Sequence, residues 1–354
     1  MFRAIAAGAA LALLMAGSAN AELKTITDDQ GRQVTLDLPI RKAAVFNAWN
    51  AELFRAIGGA GSIAGLDAGT AGNPGYWPAS LTTPETIIGQ GQTAPNYERI
   101  VALKPDVVVI PANGVWQEAE AKLKPFGIPV IVMTGFDPVK HIRNAQQVGE
   151  LLGKPKEAQA VADFFDVNMR LLAERLKDVT PRRIYLENWA GIVSPLATSG
   201  WDNMMKLAGG ANIFGDIEFA KQPSGRGSVN DFQIDQEQVI LRNPELIFKM
   251  GCCNVNYPAP PAGSLKATAD ELMARPGWNS IQAVKSKEVH VIGFFAANVV
   301  SKMIAAMYLA KAIYPDRFSD VDPEGLMKTW LEKYQGVPYT APYSYSPLNR
   351  YGQS

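Results

Sequence analysis

Residues 156–178 read KEAQAVADFFDVNMRLLAERLKD, 23 residues without a glycine or proline. Ala160, Phe164, Val167, Leu171 and Leu172 recur in it at helical spacing, so the stretch reads as one helix with an apolar face. Gly153-Lys154-Pro155 breaks the preceding helical pattern over 138–152. At 1.5 Å per residue the helix is roughly 35 Å long, enough to cross from one domain to another.

On its N-terminal side the pattern alternates. Residues 23–29 and 32–38 form a hairpin around Gln30-Gly31, followed by strand 43–46, helix 51–57 and strand 62–66. Helix 96–103, strand 106–110, helix 116–126 and strand 129–133 come next, with Gly127 as a C-terminal stop. On the C-terminal side the alternation restarts with strand 183–187, helices 203–207 and 235–241, strand 246–249, helix 267–274, strand 288–292 and helices 299–313 and 322–334. Continuous Val/Ile runs between helices indicate parallel strands covered on both faces. The expected fold is α/β: two Rossmann-like lobes, each with a mostly parallel central sheet, joined by one long rigid helix. The expected divisions are an N-terminal lobe over 22–153, the bridging helix over 154–179, a C-terminal lobe over 180–336 and an irregular tail over 337–354. Ligands then belong in the cleft between lobes, near the carboxyl ends of the strands.

The composition narrows the chemistry. The chain has 354 residues, 34 Lys+Arg against 34 Asp+Glu, two histidines and two cysteines. A hydrophobic content of 47% is that of a folded globular protein, and the lack of a basic surplus argues against nucleic acid as a partner. Two cysteines cannot build a four-cysteine zinc site, and His141 and His290 are too far apart for a His-x-x-x-His pair. Met1-Phe2-Arg3, the apolar run 4–15 and the A-x-A of Ala19 and Ala21 read as a signal peptide over 1–21, cut after Ala21, which sends the protein to the periplasm. The run is too short to span a bilayer, and no Cys near the cut suggests a lipid anchor. Its removal takes away Arg3, leaving 33 − 34 = −1 as the formal charge.

Catalytic motifs are absent or out of context. Gly59-Ala60-Gly61-Ser62-Ile63-Ala64 matches G-x-G-x-x-[GA], but it follows a helix and precedes a strand, the reverse of a dinucleotide site. There is no Walker A sequence and no G-x-S-x-G elbow. A secreted α/β hydrolase would have to use His141 or His290, and both positions favour a surface or packing role.

Several segments together resemble the periplasmic substrate-binding proteins of ABC importers for ferric siderophores, haem and vitamin B12. They are Asp28-Asp29-Gln30-Gly31-Arg32-Gln33-Val34 with Arg41-Lys42-Ala43-Ala44-Val45, Glu52-Leu53 before Gly58, and Asn96-Tyr97-Glu98-Arg99-Ile100-Val101-Ala102-Leu103-Lys104-Pro105-Asp106. Leu207-Ala208-Gly209-Gly210-Ala211-Asn212-Ile213-Phe214, Gln236-Glu237-Gln238-Val239-Ile240 and Ala283-Val284-Lys285 complete the series, from about Thr25 to Tyr334. The resemblance implies two lobes on one bridging helix, a non-catalytic role, and a permease dimer in the inner membrane as partner. It also implies that Glu98 and Glu237, one on each lobe, meet permease arginines through charge-assisted contacts. The ligand it implies is a chelated metal, a ferric siderophore first, with cobalamin, haem or an oxyanion such as molybdate as the alternatives, bound by a monomer.

Loops after the predicted strands supply the candidate cleft residues: Asn47, Trp49, Asn50, Asp67, Tyr76, Trp77, Asn113 and Trp116 in the first lobe, and Trp189, Trp201, Arg226, Asn254, Phe294, Phe295 and Asn298 in the second. Aromatic rings and amides suit a bulky, partly planar chelate, and Arg226 in its Gly-flanked loop suits an anionic one. No set of residues has an evident metal spacing, so no cofactor and no directly bound metal are expected. Cys252-Cys253 leaves three readings open: a vicinal disulfide near the cleft, two free thiols, or a soft-metal or intermolecular role.

Overall fold

The computed structural model describes residues 22–73, 75–135, 137–188, 191–250, 257, 260–293, 299–340 and 342–352. The signal peptide expected over 1–21 lies outside them, as do Trp189, Cys252, Cys253, Asn254, Phe294, Phe295 and Asn298.

Strands β1 (Glu22–Thr27) and β2 (Gln33–Leu38) pair antiparallel, and β2 turns Val34, Leu36 and Leu38 inward at every second residue. Strands β3 (Ala43–Val45) and β4 (Ile63–Leu66) follow, then the short pair β5 (Gly89–Gly91) and β6 (Ala94–Pro95), then β7 (Val107–Ile110) and β8 (Val130–Val132). Four of these make a parallel sheet in the order β4-β3-β7-β8. Every residue of β3, β7 and β8 is buried, because helices cover both faces. Those helices are α1 (Ala48–Gly58), α2 (Ala68–Ala71), α3 (Tyr97–Leu103), α4 (Trp116–Leu123) and α5 (His141–Leu152).

After the bridging helix α6 (Pro155–Leu176), the second lobe contains β9 (Arg182–Glu187), β10 (Val193–Ser194), β11 (Gly210–Asn212), β12 (Phe232–Gln233), β13 (Leu246–Met250), β14 (Val289–Ile292) and β15 (Ser344–Tyr345). Its sheet runs β11-β9-β13-β14-β15, parallel except for the last strand. The helices are α7 (Gly200–Leu207), α8 (Gln236–Arg242), α9 (Ser264–Met273), α10 (Gln282–Lys285), α11 (Val299–Ile313) and α12 (Pro323–Thr329), the last continuing into a wide turn over Trp330–Tyr334.

The sequence reading has no counterpart for α2, β5, β6, β10, β11, β12 or α10, all of four residues or fewer, and two further features depart from it. The tail is not irregular throughout: Ser344–Tyr345 adds the antiparallel edge strand to β14, and Tyr343 and Tyr351 are buried. A two-residue strand has no periodicity to read, and long-range contacts such as Tyr343 OH to the Tyr257 carbonyl at 2.8 Å hold it. On α6 the buried row is Ala158, Val161, Ala162, Phe165, Asn168 and Leu172, whereas Val167 of the expected row is 61% exposed. The helix has neighbours on two sides, so two adjacent rows carry apolar residues. Phe165 meets His141 of α5 at 4.5 Å between ring centroids, while Phe164 meets Tyr334 at 5.1 Å.

The hairpin is tied to the first sheet by one carboxylate. Buried Asp28 accepts backbone N–H bonds from Gln30, Arg32 and Val132 at 2.9, 3.0 and 3.1 Å, and guanidinium bonds from Arg32 at 2.9 and 2.7 Å. Its replacement leaves donors of the turn and of Arg32 unpaired. Asp28→Ala therefore lowers the unfolding free energy by about 3 kcal/mol, measured by urea titration; a loss within error of zero would show that the hairpin is not anchored this way.

Candidate functional site

The turn after β3 and the first turns of α7 and α11 converge on Lys302, and this convergence forms the candidate cleft. At its N-terminal wall, Asn47 precedes α1 with φ +80°, a conformation side-chain-bearing residues rarely adopt. Two bonds hold it there: its N–H donates to Asp67 Oδ2 at 2.7 Å, and its Oδ1 accepts from the Trp49 N–H at 3.1 Å. Asp67 is itself fixed, accepting from the Thr70 N–H and hydroxyl at 3.0 and 2.7 Å. This turn sets the position of Trp49.

The opposite wall is the start of α7, capped by Ser199, whose hydroxyl accepts from the Asp202 N–H at 3.0 Å. It holds Trp201, which is buried. Between the tryptophans stands Lys302 in the first turn of α11, its Nζ 5.8 Å from the Trp49 ring centroid and 5.3 Å from that of Trp201. Among the described residues Lys302 has no hydrogen bond and no ion pair. Burial pushes its ammonium below the ordinary lysine range. Gly200 makes room for it, since a Cβ there would lie 3.0 Å from Nζ. Lys302 also lines a slot of about 70 Å³ with Pro138, Phe165, Met169, Gly200, Asn203, Met204, Leu207 and Met303.

The other cations near the sheet ends are paired. Fully buried Glu187, at the end of β9, accepts from both Arg275 Nη atoms at 2.6 and 2.8 Å, from Lys249 Nζ at 2.9 Å and from the Tyr185 hydroxyl at 2.9 Å. Arg226, expected to meet an anionic ligand, instead pairs with Asp235 at 3.0 Å and lies 5.1 Å from the Phe232 ring centroid.

Of the aromatics and amides read from the sequence, only some share the cleft. Trp49 and Trp201 flank Lys302, Asn47 orders the turn below Trp49, and Asn113 is exposed in the turn after β7. Asn50 is wholly buried and saturated: it donates to the Phe46 and Met133 carbonyls and accepts from the Gly135 N–H. Trp116 lies under the Arg32 guanidinium, 4.6 Å from its ring centroid, on the flank of the first lobe. Tyr76 and Trp77 are buried beside the last turns of α1, stacked 4.3 and 4.6 Å from Arg55, and line a separate cavity of about 480 Å³ with the segment from Lys333 to Val337. There the Tyr76 hydroxyl donates to Glu52 at 2.9 Å, and burial pushes the Glu52 carboxyl up to about 7.

Neither histidine faces the cleft as a catalytic base. His141 is buried against Phe165, and burial alone pushes its imidazole down to about 4. His290 stacks on Phe248 and bonds Ser346 Oγ at 3.1 Å and Glu288 at 2.9 Å. The trio has the residue types of a hydrolytic triad, yet the imidazole and hydroxyl are buried and neither residue lines a cavity described above. Among the described residues no group of three or more His, Cys, Asp or Glu side chains could hold a metal ion.

Glu98 and Glu237 occupy equivalent places. Each is the second residue of a short helix, α3 or α8, and each helix ends on a left-handed residue, Lys104 (φ +47°) or Asn243 (φ +43°). A proline and an acid follow in both lobes. Asp106 accepts the Arg41 and Lys42 N–H bonds at 2.6 and 2.9 Å, and Glu245 accepts the Arg183 N–H at 2.9 Å. The repeated module presents one exposed carboxylate per lobe, with no ion pair among the described residues.

The family model described as "Periplasmic binding protein" matches residues 44–294. The chain belongs to this family, the substrate-binding proteins of ABC importers. It is 26% identical over 277 residues to the molybdate-binding protein MolA of Haemophilus influenzae, covering 69% of this chain and 71% of that protein. It is 30% identical over 153 residues to the vitamin B12-binding protein of Vibrio campbellii, 43% and 52% of the two chains. The crystal structure of the TroA-like periplasmic binding protein FepB from Veillonella parvula superposes with a TM-score of 0.76 at 24% identity, covering 91% of this chain and 99% of that one.

In this periplasmic binding protein the residue that sequence reading missed is Lys302. A signal for it exists: Val299–Ile313 is largely apolar apart from Ser301 and Lys311, and a lysine in a first turn opposes the helix dipole. Such a charge is held at a cost to the ligand-free fold. Lys302→Met therefore raises the melting temperature of the ligand-free protein by about 2–4 °C, read by calorimetry; an unchanged or lower value would mean that the ammonium has a partner after all.

Proposed function

We propose that this binding protein is an exported monomer, cut after Ala21, that captures an anionic metal chelate, a ferric siderophore first, and hands it to an ABC permease dimer. The observation that carries the reading is the Lys302 ammonium, held between Trp49 and Trp201 with no counter-charge among the described residues. An anion entering there restores the pairing that burial withholds, and the partly exposed Trp49 indole adds apolar area beside it. A chelate brings its own metal donors, so it asks for no protein ligand set. The likeness to MolA favours a second reading, a bare oxyanion such as molybdate. Lys302 serves that ion too, but indole rings do little for a small tetrahedral anion. Cobalamin and haem remain alternatives in the same cleft.

A thermal-shift series with ferric catecholate, hydroxamate and citrate complexes, molybdate, cobalamin and haem separates these readings. At least one anionic ferric chelate raises the melting temperature by mass action, and Lys302→Met abolishes the shift. The bound anion favours protonated Lys302, so affinity is full below the free-state pKa and is lost as pH rises through the bound-state pKa. A cobalamin shift that survives both Lys302→Met and alkaline pH would overturn the anionic reading.

Glu98 and Glu237 are the proposed docking points for permease arginines, one on each lobe. Charge reversal at both positions, Glu98→Arg with Glu237→Arg, abolishes uptake in cells while ligand affinity in solution stays at the wild-type value. Uptake that persists would remove them from docking.

A further inference from the structure

The slot beside Lys302 gives that anion site a second half. Its lining comes from three places: Pro138 of the first lobe, Phe165 and Met169 of the bridging helix, and α7 and α11 of the second lobe. Lys302 is the sole charged residue of the lining, and Asn203 the sole other polar side chain. A water needs two to four polar partners to settle in such a space, and the slot offers few. Met169, Met204 and Met303 contribute three thioether side chains, which adjust to an apolar guest more readily than branched residues do.

The size is informative as well. About 150 Å³ accommodates a benzene ring in a dry cavity, and the slot measures about 70 Å³. It therefore accepts a short branched alkyl group of about three carbons and excludes an aryl ring.

We infer that the ligand carries a short aliphatic limb next to its anionic group, and that this limb enters the slot while the anion meets Lys302. The inference rests on the anion site proposed above and narrows the ligand class to an anion with an aliphatic arm. It sets aside bare oxyanions and chelates whose only apolar parts are aromatic rings. The limb touches both lobes and the helix between them, so its seating also favours the closed cleft.

The test uses the full mature chain labelled with ¹³C at the methionine methyl groups, titrated with acetate, isobutyrate and benzoate and followed by NMR. Isobutyrate shifts the Met169, Met204 and Met303 signals and binds about tenfold tighter than acetate, the gain expected for two further buried carbons. Benzoate binds more weakly than isobutyrate. Lys302→Met removes binding of all three carboxylates. Met169→Phe, which fills the slot from the bridging helix, brings isobutyrate down to acetate's affinity. Met204→Ala widens the slot and moves the preference towards benzoate, so one misfolded variant leaves the other informative. Acetate and isobutyrate binding equally, both through Lys302, would overturn the slot and leave the anion site standing. Binding indifferent to Lys302, or no methyl shift up to the solubility of isobutyrate, would overturn both.

Discussion

One apolar stripe, from Ala158 through Phe165 to Leu172, holds α6 against both halves of the molecule. Near its middle, Phe165 packs on His141 of the first lobe, and Met169 reaches the slot shared with α7 and α11 of the second. Towards its end, Arg175 pairs with Asp320 at 2.8 Å and its carbonyl accepts from Arg317 at 2.7 Å. The separation of the lobes is therefore set chiefly by side-chain packing along two adjacent rows of this helix. The cleft inherits its width from that packing.

Within this frame the charges divide into two kinds. Asp28 and Glu187 are buried and fully supplied with donors, and each fastens a peripheral piece to a sheet. Lys302 is the opposite: a mostly buried cation facing aromatic rings, on a helix whose dipole disfavours it. Buried charge without a partner is expensive, and Lys302 has none among the described residues. On the reading proposed above, that contrast points to the binding site more sharply than the abundance of aromatic loops does. Tyr76, Trp77 and Trp116 all stack on arginines and thus serve packing within the protein.

The two lobes also repeat a small device. The sequence Asn96 to Asp106 and the sequence Asp235 to Glu245 both run from cap, through a short helix with a glutamate in its second position, to a left-handed residue, a proline and an acid that receives backbone N–H bonds from the neighbouring strand. The left-handed residue and the proline stop each helix, and the acid then aims the chain into the sheet. Each glutamate is thereby placed at the same end of its lobe as the carboxyl ends of the strands. The short helices and their glutamates were legible in the two segments, whereas the N–H donors to the acids come from residues more than sixty positions away.

The sequence by itself determined the order of the longer strands and helices, the bridging helix and the absence of nucleotide-binding and nucleophile-elbow motifs. Those follow from local periodicity, Gly and Pro stops and residue types at fixed spacing. It did not determine which face of α6 is buried most deeply, since two rows of apolar residues compete and only the neighbouring helices choose between them. Nor did it reveal that Ser344–Tyr345 closes the second sheet, that Arg226 is already paired, or that Trp49, Trp201 and Lys302 converge. Tertiary structure alone decided these points, because whether a side chain is free to meet a ligand depends on which distant residue has already taken its charge, its hydrogen bonds or its ring face.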